Sequence, residues 1–193
     1  DDQPLSGLTE RELGVARRRI GMMFQGGALF DSMSVFENIA FPLIEGGMKD
    51  KEEVKKKVCD VLEIVRLEGH GDKMPSDISG GMRKRVALAR AIVDQPDCVL
   101  YDEPHAGLDP ITADKIDHLM KSLQTKLGIT NVIITHEMRS VFRIADRVIF
   151  MKEGQIYWEG TPAELRASLD PELKDFVEGN SGEVWDTEVE YHD

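Results

Sequence analysis

The chain has 193 residues, 41% of them hydrophobic and 31% charged, and a formal net charge of −12. That length can bury one good core, and the acidity argues against DNA or RNA as the main partner, because phosphate backbones favour dense Lys/Arg surfaces. A nucleotide is not excluded, since it needs only a local nest of backbone N–H groups. No apolar run approaches the length of a membrane span and no signal peptide is visible. Cys59 and Cys98 are isolated and suggest neither a disulfide nor a zinc site, which fits a reducing cytoplasm.

Thr9-Glu-Arg-Glu12 reads as a capping box that starts a short helix to about Arg18. Ile20 to Gln25 reads as a strand ending in an amide, followed by the hinge-like Gly26-Gly27. An amide there serves either as a turn residue or as a contact to a metal or water. Residues 31–48 are rich in Phe and Ile, more so than a surface loop requires, which leaves room for a partner surface. Pro42 and Gly46-Gly47 are expected to break that pattern. Lys49 to Arg66 is an amphipathic helix with Val54, Val58, Val61, Leu62 and Val65 on one stripe.

Ser79 is a natural N-cap, and Gly80-Gly81 would let a phosphate approach the start of a helix carrying Val86, Leu88, Ala89, Ile92 and Val93. Such a helix start offers free N–H groups and a positive dipole end. Val99-Leu-Tyr101 then reads as a buried strand of a parallel sheet, followed directly by Asp102 and Glu103. Burying two adjacent carboxylates is costly unless a cation or a proton transfer uses them. At the C-terminal end of a parallel strand, where α/β folds bind ligands, the pair suits a metal–nucleotide site. Asp102 would hold Mg²⁺, and Glu103, turned the other way by strand alternation, would orient or deprotonate water. The same pair also suits a strand end meeting a solvated turn.

Asp109-Pro110 reads as N-cap and first residue of a helix to Leu127, stopped by Gly128. Asn131 to His136 is a second buried strand with its histidine on the same rim as Asp102 and Glu103. A short helix from Met138 to Ala145 follows, then a hairpin about Glu153-Gly154, a capping box at Thr161 and a helix through Ser168. From Pro171 the chain turns acidic, and its last dozen residues are expected to be a mobile tail.

Taken together, these motifs resemble the ATP-binding-cassette (ABC) ATPases over nearly the whole chain. Gln25 matches the Q-loop, Ile78-Ser-Gly-Gly-Met82 the signature, Val99 to Glu103 the Walker B strand with its glutamate, Ala106 to Asp109 the D-loop and His136 the switch histidine. Phe24 to Pro42 and Gly80-Gly-Met82 look like the Mla/Mkl/Tgd-type lipid-transport ATPases. Met82 stands where the signature usually has Gln, and His105 where Thr or Ser is commoner after Asp-Glu-Pro, so its imidazole adds a pH-sensitive contact or none. No Gly-x-x-x-x-Gly-Lys-Ser/Thr occurs, and the chain opens at Asp1 rather than on a methionine, which reads as a fragment starting after Walker A.

The resemblance implies an α/β fold of the P-loop NTPase type, with a mostly parallel core sheet and an inserted helical subdomain. Residues 1–30 would be the remnant of the ATP-binding core, 31–76 the helical subdomain, 77–170 the core bearing the remaining motifs, and 171–193 an acidic extension. It also implies ATP and Mg²⁺, a homodimer of ATPase subunits, an integral membrane permease subunit and a Mce-type lipid-binding partner. The protein would sit peripherally on the cytoplasmic face of the inner membrane and energise lipid transport between membranes. In the head-to-tail dimer, Ser79, Gly80 and Gly81 would bind the partner's γ-phosphate. Asp102 and Gln25 would attend Mg²⁺, Glu103 would act on water, His136 would contact the γ-phosphate, and Asp109 would link the two sites. The alternatives are a soluble ABC ATPase of the DNA-repair or translation type, and a non-hydrolysing interaction subunit. Without the Walker A lysine, Asp102 and Glu103 repel a polyanion unless Mg²⁺ lies between them. The 193-residue chain alone is therefore expected to bind Mg-ATP weakly or not at all and not to hydrolyse it. Isothermal titration is the check, and low-micromolar binding with turnover contradicts it.

Overall fold

Local capping chemistry sets most of the helix starts. The computed structural model describes residue 4 and residues 6–180, which gather into two compact units, Asp1–Glu137 and Met138–Asp193. In the first unit the Thr9/Glu12 capping box is closed from both sides and opens α1, Glu10–Arg18. Strand β1 spans Ile20–Met23 and stops short of the predicted end at Gln25. Phe24 and Gln25 lie instead in a turn closed by Gly27 N–H donating to Phe24 C=O at 2.9 Å.

Helix α2, Val35–Glu45, starts from a second capping box, Ser34 with Glu37. The break expected at Pro42 does not occur, because the helix runs through it to Gly46. Burying Val35, Ile39, Ala40 and Leu43 outweighs the one helical bond that a proline nitrogen cannot donate. Asn38, fully buried, ties the preceding loop to this helix. Its Oδ1 accepts from Phe30 N–H at 2.8 Å, and its Nδ2 donates to the carbonyls of Phe30, Met33 and Ser34 at 3.0–3.1 Å. Helix α3, Lys51–Ile64, presents Val54, Val58, Val61 and Leu62 inward, as its stripe predicts, and a 3₁₀ turn at Pro75–Asp77 leads to α4, Gly80–Ile92. Helices α2 and α3 both pack on α4, which in turn packs on β1. A Cβ on Gly21 would come within 2.1 Å of the Ala91 carbonyl oxygen, so only glycine admits that approach.

Strands β2, Cys98–Asp102, and β3, Thr130–Ile134, complete a parallel sheet of order β1-β2-β3. Helix α5, Pro110–Leu127, forms the crossover between β2 and β3, capped by Asp109 at its start and by Gly128 with φ +67° at its end. Val99 and Tyr101 are fully buried on the α4/α5 side with Met23, Ile116, Met120 and Leu123. The register pairs Met23 with Tyr101 and Asp102 with Ile134, so Gln25, Asp102–Glu103 and His136 all follow strand ends on one rim. Strand β3 is not buried as its sequence suggests: Val132 is 47% and Ile134 65% exposed. It is the edge of the three-stranded sheet, and only the face opposite these side chains is covered among the described residues.

In the second unit, α6, Met138–Ile144, precedes the hairpin β4, Val148–Lys152, and β5, Gln155–Gly160, which turns at Glu153 and Gly154, both with positive φ. Helix α7, Pro162–Ala167, starts at the predicted Thr161 box. The acidic stretch from Pro171 starts as a helix: α8, Pro171–Glu178, buries Leu173 and sets Phe176 edge to face with Phe150 at 4.9 Å between ring centres. Asp170 caps it, and its acidic side chains lie on the outer face. The last dozen residues lie outside the described ones. No helix among the described residues is long and apolar enough to cross a membrane.

Asn38→Ala leaves the Phe30 N–H and three carbonyls without that partner. It is expected to cost about 1–3 kcal/mol, the price of unsatisfied buried groups, read as a lower urea midpoint.

Candidate functional site

The strand end itself delivers Asp102, half-buried and still in register with Ile134 of β3. Glu103 continues the ladder by one bond, its N–H donating to Ile134 C=O at 2.9 Å, and then leaves it with φ +43°. Its direction is thus set by a left-handed backbone rather than by the strand alternation its sequence suggests. Such conformations in a non-glycine residue are uncommon and cluster at functional positions. Pro104 cannot donate to a ladder, and the turn closes through Ala106 N–H on Glu103 C=O at 3.1 Å.

Glu103 and His136 meet directly. The His136 Nδ1–H donates to Glu103 Oε1 at 2.8 Å, with the histidine 77% exposed and the carboxylate 20%. The Glu103 hydrogen bond first, then its charge, raises the His136 pKa above the ordinary 6.5. Gln25 sits exposed on the same rim, in the turn after β1.

Two cations that the motif reading passed over hold this rim from behind. Lys84, on α4 and only 4% exposed, donates from Nζ to the Glu103 carbonyl at 3.3 Å. Burial pushes its pKa down, while Glu103 and Asp102 act in the opposite sense. Arg90, lower on α4, donates to the carbonyls of Ala28 and Gly27 at 2.9 and 2.8 Å. It fixes the left-handed stretch Gly26-Gly27-Ala28 that follows Gln25. A signal for Lys84 was present: it falls on the same helical stripe as Ala87, Leu88 and Ala91, where a cation needs a buried partner.

The remaining predicted residues form a second cluster. Ser79, Gly80, Gly81 and Asp109 line one groove of about 940 Å³, with Arg85 and Lys115 among its walls. The Ser79 hydroxyl accepts from Met82 N–H at 3.3 Å, and Asp109 accepts from Ile111 and Thr112 N–H, both at 3.0 Å. The Thr112 hydrogen bonds hold the Asp109 carboxyl below its usual range. A Cβ on Gly81 would lie 2.7 Å from Thr112 Cγ2, so glycine lets the first turns of α4 and α5 touch. His105 does not face this groove freely. It is buried, with Nε2 2.7 Å from Asp117 Oδ1, and so ties the turn after Glu103 to α5.

Because the folded-state pKa of His136 is raised, its pair with Glu103 contributes stability below about pH 6.5 and loses it as pH rises through the raised value. Imidazole titration by NMR is expected to give a midpoint above 6.5 for His136, falling towards 6.5 in Glu103→Gln.

The family described as ABC transporter matches residues 1–106. The chain is 40% identical over 181 residues to the intermembrane phospholipid transport system ATP-binding protein MlaF of Haemophilus influenzae, covering 94% of this chain and 69% of the relative. It is 43% identical over 178 residues to the methionine import ATP-binding protein MetN of Carboxydothermus hydrogenoformans, covering 92% of this chain and 52% of that one. Among solved structures, a dimeric post-hydrolysis state of the ATP-binding cassette MJ0796 with ADP and Pi superposes with a TM-score of 0.74. It is 33% identical, with 84% of this chain and 71% of that chain covered. With the site's residues in family order and these likenesses spanning most of its length, the chain belongs to the ABC transporter family, among its ATP-binding subunits.

Proposed function

We propose that this chain is part of an ATP-hydrolysing subunit that drives phospholipid transport between membranes. The observation that carries the hydrolytic part is the 2.8 Å contact between Glu103 and His136 beside Asp102. Glu103 accepts a proton from the water whose oxygen bonds the γ-phosphorus as the β–γ bridging bond breaks and ADP leaves, while His136, released from Glu103, donates a hydrogen bond to the γ-phosphate. General bases of this kind contribute about 10²–10⁴-fold in rate. Gln25, exposed in the turn after the neighbouring strand, would contact the same water and metal.

No cluster of three or more His, Cys, Asp or Glu side chains suited to a metal occurs among the described residues. A single half-buried carboxylate, Asp102, would suit Mg²⁺ as nucleotide sites hold it, because that ion keeps much of its shell for phosphate oxygens and water. Asp102 is the residue that would hold it, and the ion would neutralise phosphate charge. Ser79, Gly80, Gly81 and Asp109 serve the second cluster, where two subunits bind ATP between them in a head-to-tail homodimer.

Lipid as cargo is supported by the Mla-type pattern of Phe24–Pro42 and Gly80-Gly-Met82, and by the relative named for phospholipid transport. The partners are an integral membrane permease and a Mce-type lipid-binding protein, with the subunit on the cytoplasmic face of the inner membrane. Val35, Ile39, Ala40 and Leu43 of residues 31–48 go into the core, while Phe24, Phe30 and Ile44 are exposed and would form a surface for the permease. Methionine import is the second reading, favoured by the 43% identity to MetN. In the full-length protein, Glu103→Gln is expected to slow phosphate release by about 10²–10⁴-fold while ATP-bound dimers accumulate on sizing. Near-normal turnover would remove Glu103 from the role. For the reconstituted transporter, stimulation of wild-type ATPase by phospholipid and not by methionine supports the lipid assignment, and the reverse overturns it.

A further inference from the structure

We propose that Lys84 is a positioning residue for hydrolysis, its buried ammonium holding the Glu103 peptide in the conformation that aims the Glu103 carboxylate. The proposal rests on Glu103 being the base. Lysine is almost never fully buried without a partner, and Lys84 is 4% exposed. Lys84 shares the buried stripe of α4 with Ala87, Leu88 and Ala91, and its Nζ ends 3.3 Å from the Glu103 carbonyl oxygen. An apolar residue would fill the same space at a lower desolvation cost, so the ammonium needs a reason to be there.

The reason lies in the backbone it touches. Glu103 has φ +43°, a region that side-chain-bearing residues seldom adopt. Its peptide groups are fixed by Glu103 N–H on Ile134 C=O, Ala106 N–H on Glu103 C=O, and Lys84 Nζ on the same carbonyl. The first two belong to the backbone and are available to almost any sequence. The third depends on a side chain. With the carbonyl held from α4, the carboxylate points towards His136 Nδ1 on the opposite side, at 2.8 Å. The same charge also offsets Asp102 and Glu103 together, since both act on Lys84 favourably. A neutral donor would supply the hydrogen bond without that compensation.

The test is phosphate-release kinetics on the full-length protein as wild type, Lys84→Met and Lys84→Gln. Methionine keeps the stem and removes the ammonium. The kcat is expected to fall on the order of 10- to 100-fold, as small misplacements of a catalytic group do, with KM for ATP within about twofold. Lys84→Gln, a second variant should Lys84→Met not remain folded by thermal unfolding, is expected to fall in the same direction. In a Glu103→Gln background, Lys84→Met is expected to form ATP-driven dimers as readily as Glu103→Gln alone. An unchanged kcat in a folded variant, a rise in KM that accounts for the loss, or failure of those dimers overturns the proposal. If Glu103→Gln itself turns over normally, the base assignment fails and the proposal with it, a result separable from failure of Lys84 alone.

Discussion

Two carboxylates side by side at the end of a strand are the constraint from which the site is built. Such a pair favours positive charge close by, and the fold supplies it from two directions. Lys84 comes from the helix behind the sheet and touches the Glu103 backbone, while His136 comes from the neighbouring strand end and touches the Glu103 side chain. One contact is buried and the other largely open to water. The buried one is fixed by packing. The open one joins an exposed imidazole to a carboxylate, so little is lost in separating the two.

Helix α4 does most of the joining. Its first turn, at Gly80 and Gly81, lies in the groove with Asp109 and against Thr112. Its middle supplies Lys84 to the rim, and Arg90 grips the turn after Gln25. Two glycines make this possible by omission: Gly21 lets β1 approach Ala91, and Gly81 lets α5 approach α4. Both clusters of proposed site residues are therefore tied to one helix. They do not form a single pocket.

The helical layer of α2 and α3 serves the site indirectly. Asn38 spends its whole side chain on the loop between Phe30 and Ser34, so that loop is an extension of α2 and not an independent segment. Phe30 packs on Phe41 at 4.8 Å between ring centres yet stays 42% exposed, and the Arg90 guanidinium lies 5.9 Å from its ring centre. The proposed permease surface and the proposed metal-sensing turn thus share one arginine.

Local chemistry alone determined the helix starts, since Thr9, Ser34, Ser79, Asp109 and Thr161 each bond a backbone N–H within three residues. The order of motifs likewise placed Asp102, Glu103 and His136 on strand ends before any fold was known, because a buried strand followed by acid reads in sequence. Long-range packing decided the rest. Pro42 lies within a helix because the core wanted Val35, Ile39 and Leu43 on one face. Val132 and Ile134 look like core residues and are exposed, because their face of the sheet, where Met22 is exposed too, has no covering layer among the described residues. Glu103 is aimed by a positive φ that glutamate does not advertise. Arg90 reads as an ordinary charge on a helix, and Lys84 as a cation on an apolar stripe with no partner named. Only the sheet and the loops that α4 packs against turn them inward, where desolvation makes each find a carbonyl.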